Sequence, residues 1–569
     1  MLLDLLNSFL FAALLLTHFL LHNGYSLFAP ESLACFFPFV FLLFLTAAAA
    51  RTFKRPWLFY FGLIFLFFDL TFGFSNRPVW EYARLPRDPA LRLAAALASP
   101  LTGIPAFLSW LSIHVLKHSA VYTNHLAAAF LLGWTSYKTR LKMPRRLPVI
   151  LAVMLLTTLI QYAKGSPPHI AIKTNPVAPV ISAPSSNVLV LLLDEHIGIA
   201  GIPDLPDSAS AGIKNSLASH YAGQGFDVYP YAFSNYSDTH NSIPSLLNHS
   251  ISLRNDYGGV RVRKNRLFDT LLARGYRLNI YQSTYMDFCS AFEGRYHRCL
   301  TYRENTLGYL KSWDLPVSKK IPLLAASFIS GHKSELLKKF YLFLMHRSQW
   351  LPWDNLSPMA GMEAFRRIQT DLRQAKQGEA FFAHLLLPHH PYLFDAQCRL
   401  RDIREWETTG SEKNGFSAEG WERKYRLYLE QMACTHLEIQ KLFEALRKAG
   451  LFENTVIVLM GDHGSRITST LPLEDHFEEL TPRQFEDNFS TLALVKKSGN
   501  RSLGGGPAAN TASSISIAEV MADVFELEMA RGNSDADFEK VYLRKNFRSP
   551  EMVPHEFGMI RAKAEQKAA

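Results

Sequence analysis

A chain of 569 residues is longer than one ordinary hydrophobic core organises, so two or more domains are expected. Its formal net charge of +10 invites a nucleic-acid reading, yet no basic block carries the interleaved aromatics that such binding uses. Part of the excess sits in two short runs, Arg51–Arg55 and Lys138–Arg146, and nucleic acid is excluded as a partner.

Nearly all the long apolar runs lie before Tyr162. Leu5–Leu21, Leu33–Ala50, Trp57–Phe74, Ala120–Tyr137 and Leu147–Tyr162 each approach the roughly 20 apolar residues of a spanning helix. The first lacks a basic n-region and is followed by four more, so it reads as a span and not as a cleaved signal. Both basic runs fall between spans, and the positive-inside rule puts them in the cytoplasm. Five spans then leave the N-terminus inside and everything after Tyr162 outside. Leu97–Leu116, broken by Pro100, Gly103 and Pro105, reads as an interfacial or re-entrant helix on the outer side. Asp69, near the end of the third span, is placed to reach the headgroups. The expected division is a transmembrane domain over 1–164, a Pro- and Ser-containing linker over 165–186, and an external domain over 187–569.

Cysteine usage agrees with an external domain. Cys289, Cys299, Cys398 and Cys434 make an even number without the C-x-x-C spacing of a zinc site, so disulfides are expected, Cys289 with Cys299 and Cys398 with Cys434. Cys35 falls in a membrane segment.

Beyond the linker, short apolar runs alternate with amphipathic stretches. Val188–Leu193, Tyr276–Tyr281, Phe381–Leu387 and Thr455–Met460 read as strands, Leu267–Gly275 and Tyr425–Gly450 as helices. This alternation predicts an α/β domain with a mostly parallel central sheet flanked by helices, whose ligands bind at the carboxyl ends of the strands. Three strands run directly into candidate ligands: Asp194-Glu195-His196, Gly461-Asp462-His463-Gly464 and Pro388-His389-His390-Pro391. Oxygen and imidazole donors converging on one sheet edge suit zinc or a similar divalent ion. Each motif alone is weak, because an acidic residue after a strand is usually a helix cap. Three on one edge are a site.

The run Asn187–Leu193 closing on Asp194-Glu195 resembles the opening strand of the alkaline-phosphatase/sulfatase superfamily. The late Val456–Met460 followed by Gly461-Asp462-His463-Gly464 is similar to that superfamily's second metal motif. Several spans followed by an external domain of this kind resemble the membrane-anchored phosphoethanolamine and phosphoglycerol transferases. The resemblance implies metal ligands at Asp194, Glu195, Asp462 and His463, with Glu195 the stronger of the acidic pair and His196 in a supporting or exposed position. The metal is then zinc, with manganese as the alternative. The nucleophile falls in Ser237–Leu247: the transferase pattern puts it at Thr239, the sulfatase pattern at Ser242. Leu246 stands where sulfatases carry arginine, and no cysteine is present there for conversion to formylglycine, so Thr239 is preferred. His389 and His476 are the implied substrate-binding histidines, with His390 and His384 as substitutes. The implied reaction moves a phosphoethanolamine or phosphoglycerol head group from a phospholipid donor to an envelope glycan or glycolipid acceptor through a phospho-threonine. Its implied place is the bacterial inner membrane, with the catalytic domain in the periplasm. A sulfate- or phosphate-ester hydrolase and a non-catalytic envelope regulator are the alternatives. Trp80 and Trp110 are candidates for the lipid-facing entrance.

Overall fold

The computed structural model describes residues 2–54, 59, 143–163, 170–175, 184–205, 209–253, 262–304, 306–311, 313, 315–330, 356–402, 405–406, 418–468, 472–500, 514–528, 537–546 and 549–557. The expected segments Trp57–Phe74, Leu97–Leu116 and Ala120–Tyr137, with Asp69, Trp80 and Trp110, lie outside the described residues, apart from Phe59. The chain divides into two compact units, Met1–Pro168 with Leu310–Asp354, and His169–Tyr309 with Asn355–Ala569.

In the first unit, α1 (Leu2–His22), α2 (Pro30–Thr52) and α3 (Met143–Ala163) are helical. Among the described residues, Leu2–Leu20 and Pro30–Thr52 are long and apolar enough to cross a membrane, while the apolar stretch of α3, Leu151–Ile160, is shorter. Phe37, Phe41, Leu42 and Leu45 of α2 are exposed, an apolar face that a water-facing helix would cover. Arg51, at the end of α2, pairs with Asp4 at the start of α1, so the two helices run antiparallel with the first basic run beside the N-terminus. The helix Val317–Ser330 also belongs here, Phe328 packing edge-on against Phe19 and Phe39. The stretch falls within 187–569, expected as the external domain, and groups with the first unit. Its apolar Leu323, Leu324 and Ala326 are buried within this unit.

The second unit runs β1 (Ile170–Thr174), β2 (Asn187–Leu193), α4 (Ala209–Ala222), β3 (Phe226–Val228), β4 (Ala232–Phe233), α5 (Thr239–Asn248), α6 (Arg266–Ala273), β5 (Arg277–Ser283), β6 (Arg298–Tyr302), α7 (Ser357–Leu372), β7 (Glu379–Leu385), α8 (Ala418–Lys448), β8 (Thr455–Gly461), α9 (Pro482–Phe489), β9 (Ala493–Lys496), β10 (Ile515–Ser516), α10 (Ile517–Phe525), β11 (Lys540–Arg544) and β12 (Met552–Glu556). Eight strands form one sheet in the order β1-β6-β5-β7-β2-β8-β9-β3. The central five are mutually parallel, with β1 antiparallel on one side and β9 antiparallel on the other, and β3 pairs antiparallel with β9, so it runs in the direction of the central strands again. The expected linker thus contributes a strand, because Ile170–Thr174 pairs with Arg298–Tyr302. Both expected disulfides are present, Cys289–Cys299 and Cys398–Cys434.

Every side chain of β2 is buried, as a strand covered on both faces requires. Val190 and Leu192 pack with Ile280, Phe382 and Val458 in the main core, each fully buried side chain contributing about 1.5–3 kcal/mol. Register is what positions the site. Leu193 pairs with Leu385 on one side and with Gly461 on the other. Three strands therefore end level, and the residues that follow them emerge along one edge.

Candidate active site

Asp194, Asp462 and His463 are fully buried, and their ligating atoms lie within 4.8 Å of one another. The Asp462 carboxylate is fixed by one oxygen: Oδ1 accepts from the Glu195 and His463 main-chain N–H groups at 3.0 and 2.9 Å. His463 Nδ1 donates to the Gly464 carbonyl at 2.9 Å, which leaves Nε2 as the bare nitrogen. Gly464 is required by space, since a Cβ there would lie 2.1 Å from the Asp487 carbonyl oxygen. Gly464→Ala should destabilise the protein by about 1–3 kcal/mol, read as a fall in thermal midpoint, and an unshifted midpoint would count against this packing.

The hydroxyl lies against this group. Thr239 opens α5, capped by Asp238, whose side chain accepts from the Asn241 N–H at 3.0 Å. Thr239 Oγ1 is 3.1 Å from His463 Nε2, at a helix N-terminus that favours a phosphate. Ser242, one turn on, is engaged elsewhere: its Oγ donates to the Asp462 carbonyl and is 2.8 Å from Ser234 Oγ. Tyr285 closes the other side of the helix start, its ring edge-on to His240 with centroids 5.0 Å apart.

A divalent ion fits these residues. Both Asp194 oxygens, Asp462 Oδ2 and both His384 nitrogens are buried with no hydrogen-bond partner among the described residues. His384 Nε2 faces Asp194 Oδ2 at 3.4 Å. Orphaned carboxylate and imidazole atoms are costly unless something binds them, and the mixed O/N set suits zinc or manganese. Burial and the neighbouring Asp194 carboxylate push Asp462 up to about 7. For Asp194 burial acts upward, but His389, His384 and His463 outweigh it and hold the carboxyl near about 2.

The strand-end acids separate into two environments. Glu195, ranked above Asp194 on the transferase pattern, is drawn away: Arg466 Nη2 donates to its Oε1 at 2.7 Å, and the His390 ring Nδ1 lies 3.1 Å from Oε2. Asp194 is the acid that joins Asp462 and His463. His389 stacks on His390 with ring centroids 4.1 Å apart and faces Glu195 Oε1 at 3.7 Å. His476 is not brought to this edge. It stands exposed on the turn Glu474–Glu479, paired with Glu479 at 3.5 Å, because that turn leaves the chain after the strand-end loop has closed.

Several positioning residues have no motif of their own. Gln431 of α8 is fully buried. Its Nε2 donates to the carbonyls of Pro388, His389 and Pro391, and its Oε1 accepts from the N–H groups of Leu393 and Phe394. One side chain thus holds the whole Pro-His-His-Pro loop. Tyr428, one turn earlier, brackets the first acidic turn, donating to the Glu195 carbonyl and accepting from Ile197 N–H, both at 2.8 Å. Arg466 carried one signal in sequence, a cation just past an acidic metal motif. Gln431 and Tyr428 carried none beyond helical periodicity.

His196, expected in a supporting or exposed position, is fully buried. Its Nε2 lies 3.0 Å from His436 Nε2, and His436 Nδ1 lies 2.7 Å from the Tyr221 hydroxyl. Burial holds both histidines neutral, His196 down at about 4 and His436, with His196 beside it, well below the usual range. The unfolded chain binds these protons near pH 6.5, so it takes up more protons than the fold as pH falls below that value. Stability is therefore complete above about pH 6.5 and is lost downward toward pH 4, by up to about 1.4 kcal/mol per unit for each histidine. Thermal midpoints measured from pH 7.5 to 5 should fall, and His436→Gln should flatten the slope. Equal slopes for the two proteins would refute the assignment.

A sulfatase family model matches residues 222–489, and a type I phosphodiesterase/nucleotide pyrophosphatase model matches residues 429–557. Both matches are consistent with the alkaline-phosphatase/sulfatase superfamily. Both matches begin after β2, and the sulfatase match contains Thr239, Asp462 and His463. No curated protein matches the sequence. Solved structures similar to this chain include the zinc complex of the C-terminal periplasmic domain of EptC from Escherichia coli, at 13% identity and TM-score 0.39, over 68% of this chain and 96% of that one. A phosphonate monoester hydrolase of Agrobacterium radiobacter is similar at 11% identity and TM-score 0.40, over 67% and 94%. A putative sulfatase from Bacteroides fragilis is similar at 12% identity and TM-score 0.37, over 65% and 83%.

Proposed function

We propose that this protein transfers a phospho head group, phosphoethanolamine or phosphoglycerol, from a phospholipid to an envelope glycan or glycolipid through a phospho-threonine at Thr239. The observation that carries the reading is the Thr239 hydroxyl, 3.1 Å from His463 Nε2 at the start of α5, beside carboxylate oxygens without donors. The absence of cysteine from Ser237–Leu247 and Leu246 at the arginine position argue against sulfate-ester hydrolysis. The apolar helices α1 and α2 would keep the enzyme where a lipid donor and a glycolipid acceptor both reside, and the reading places the chain in the inner membrane with its catalytic unit in the periplasm.

In the first step Thr239 Oγ forms a bond to phosphorus while the bond from phosphorus to the diacylglycerol oxygen breaks, and the threonine proton ends on diacylglycerol. In the second, an acceptor hydroxyl oxygen bonds to phosphorus, the threonine ester breaks, and Thr239 recovers a proton. Asp194, Asp462 and His463 would hold a zinc or manganese ion, which would supply Lewis-acid polarisation of the phosphoryl oxygens and lower the hydroxyl pKa. The N-terminus of α5 orients the anionic group toward Thr239, and the His463 Nδ1–H bond to Gly464 keeps Nε2 directed at the site.

The test is to incubate the full chain with a fluorescent phosphatidylethanolamine and a phosphatidylglycerol analogue, with and without envelope glycolipid. Labelled diacylglycerol together with a mass increase on the glycolipid is the expected result. The phosphodiesterase match favours diester hydrolysis as a second reading. Equal diacylglycerol release without acceptor and without glycolipid product would establish that reading instead.

A further inference from the structure

The three carboxylates at the strand ends are finished in two different ways. Asp194 and Asp462 keep oxygens that no donor satisfies. Both Glu195 oxygens are taken. Oε1 accepts from Arg466 Nη2 at 2.7 Å and Nε at 3.2 Å, while Oε2 is 3.3 Å from the His390 main-chain N–H and 3.1 Å from His390 Nδ1. Neither partner of this ion pair is a free surface chain. Glu195 and Arg466 both have left-handed backbone, φ 61° and 51°, a conformation that side-chain-bearing residues adopt only when held there. The holding groups are visible: Tyr428 donates to the Glu195 carbonyl at 2.8 Å, and the Arg466 N–H donates to the Asp487 carbonyl at 3.0 Å.

Glu195, His389 and His390 are close enough together to bind a cation, but a cation there must take Glu195 from Arg466. Among the described residues Arg466 has no other carboxylate in ion-pair contact, so this guanidinium, with its side chain only 26% exposed, would be left without its partner, which is unfavourable. Charge balance agrees, because three carboxylates are matched by one divalent ion and one guanidinium. Arg466 also keeps Nη1 without an acceptor among the described residues, and His389 shares the same Glu195 oxygen at 3.7 Å.

We propose that the centre holds a single divalent cation, between Asp194, Asp462 and His463, and that Arg466 is a built-in second positive charge which, with His389, recognises the phosphoryl oxygens of a phosphate-ester substrate. This rests on the metal-dependent reading given under Proposed function. Glu195 is then a positioning residue and not a metal ligand: it orients the guanidinium, whose planar fork suits a phosphate better than a point charge does.

The full chain, purified in detergent, is loaded with excess zinc, freed of unbound metal and assayed for zinc per chain. About one zinc is expected in the wild type and in Glu195→Gln, and almost none in Asp194→Asn. Arg466→Ala, which releases Glu195 to the two histidines, should rise to about two zincs, and adding His389→Ala should return it to about one. Two zincs in the wild type or loss of zinc in Glu195→Gln would each overturn the single-cation inference, one zinc in Arg466→Ala would overturn Arg466 as the built-in second positive charge, and all three would leave the metal-dependent reading standing. No zinc in the wild type overturns both. Should Arg466→Ala fail to fold, the Glu195→Gln arm still decides. For the recognition role, inorganic phosphate binding to the zinc-loaded protein should weaken about tenfold in Arg466→Lys, which keeps the charge and loses the fork. Unchanged affinity would remove Arg466 from substrate recognition.

Discussion

Replacing Thr239 with alanine should abolish the covalent phospho-enzyme and lower turnover by about 10³–10⁶-fold, the range for loss of a nucleophile whose partners remain in place. The fold should survive, because the helix cap is supplied by Asp238 and not by Thr239. Ser242→Ala should behave differently. Its hydroxyl already donates to the Asp462 carbonyl and meets Ser234, so its loss should cost about 1 kcal/mol of stability and leave the covalent adduct in place. The measurement is intact-protein and peptide mass spectrometry after a brief exposure to phospholipid, with turnover followed in parallel. An adduct on Ser242, or substantial turnover by Thr239→Ala, would reverse the assignment of the two hydroxyls.

Asp462→Ala should release the metal and reduce turnover by about 10³-fold or more. It should also loosen the strand-end turn, since Oδ1 accepts from the N–H groups of both Glu195 and His463. Asp462→Asn separates the two effects. Its side-chain carbonyl can keep the main-chain bonds, while the amide presents no anionic oxygen to the ion. Metal content should fall to near zero in both variants, and only the alanine variant should lose stability when both are compared with metal-free wild type. Above about pH 7 the metal-free asparagine variant should equal or exceed the wild type in thermal midpoint. The reason is that Asp462, pushed up to about 7 by burial and by Asp194, is there a buried carboxylate facing another. A metal-free wild type more stable than Asp462→Asn at pH 8 would show that the Asp194–Asp462 pair is not under this repulsion.

Much of the domain was legible because its signals are local. Continuous apolar runs become buried parallel strands, as Asn187–Leu193 and Thr455–Gly461 show, and the spacing of four cysteines yielded both disulfides. The boundaries were less legible. Ile170–Thr174 is too short and too exposed to announce itself, and becomes a strand only because β6 offers it an edge. The helix Val317–Ser330 reads as amphipathic wherever it is put. Only its packing beside Phe19 and Phe39 assigns it to the first unit.

At the opening strand, sequence alone determined that acidic residues follow a buried β2 and that an Asp-His-Gly motif follows β8, because strand periodicity and side-chain chemistry are properties of short segments. It also narrowed the nucleophile to Thr239 or Ser242, three residues apart and so nearly on one helical face. The tertiary structure separated the surroundings of these two hydroxyls, and of Asp194 and Glu195. It did so through register, which brings Leu193, Leu385 and Gly461 level, and through partners distant in the chain, His463 for Thr239, the Asp462 carbonyl for Ser242, and Arg466 for Glu195. Such choices rest on which neighbour reaches a side chain first, and no local pattern encodes that.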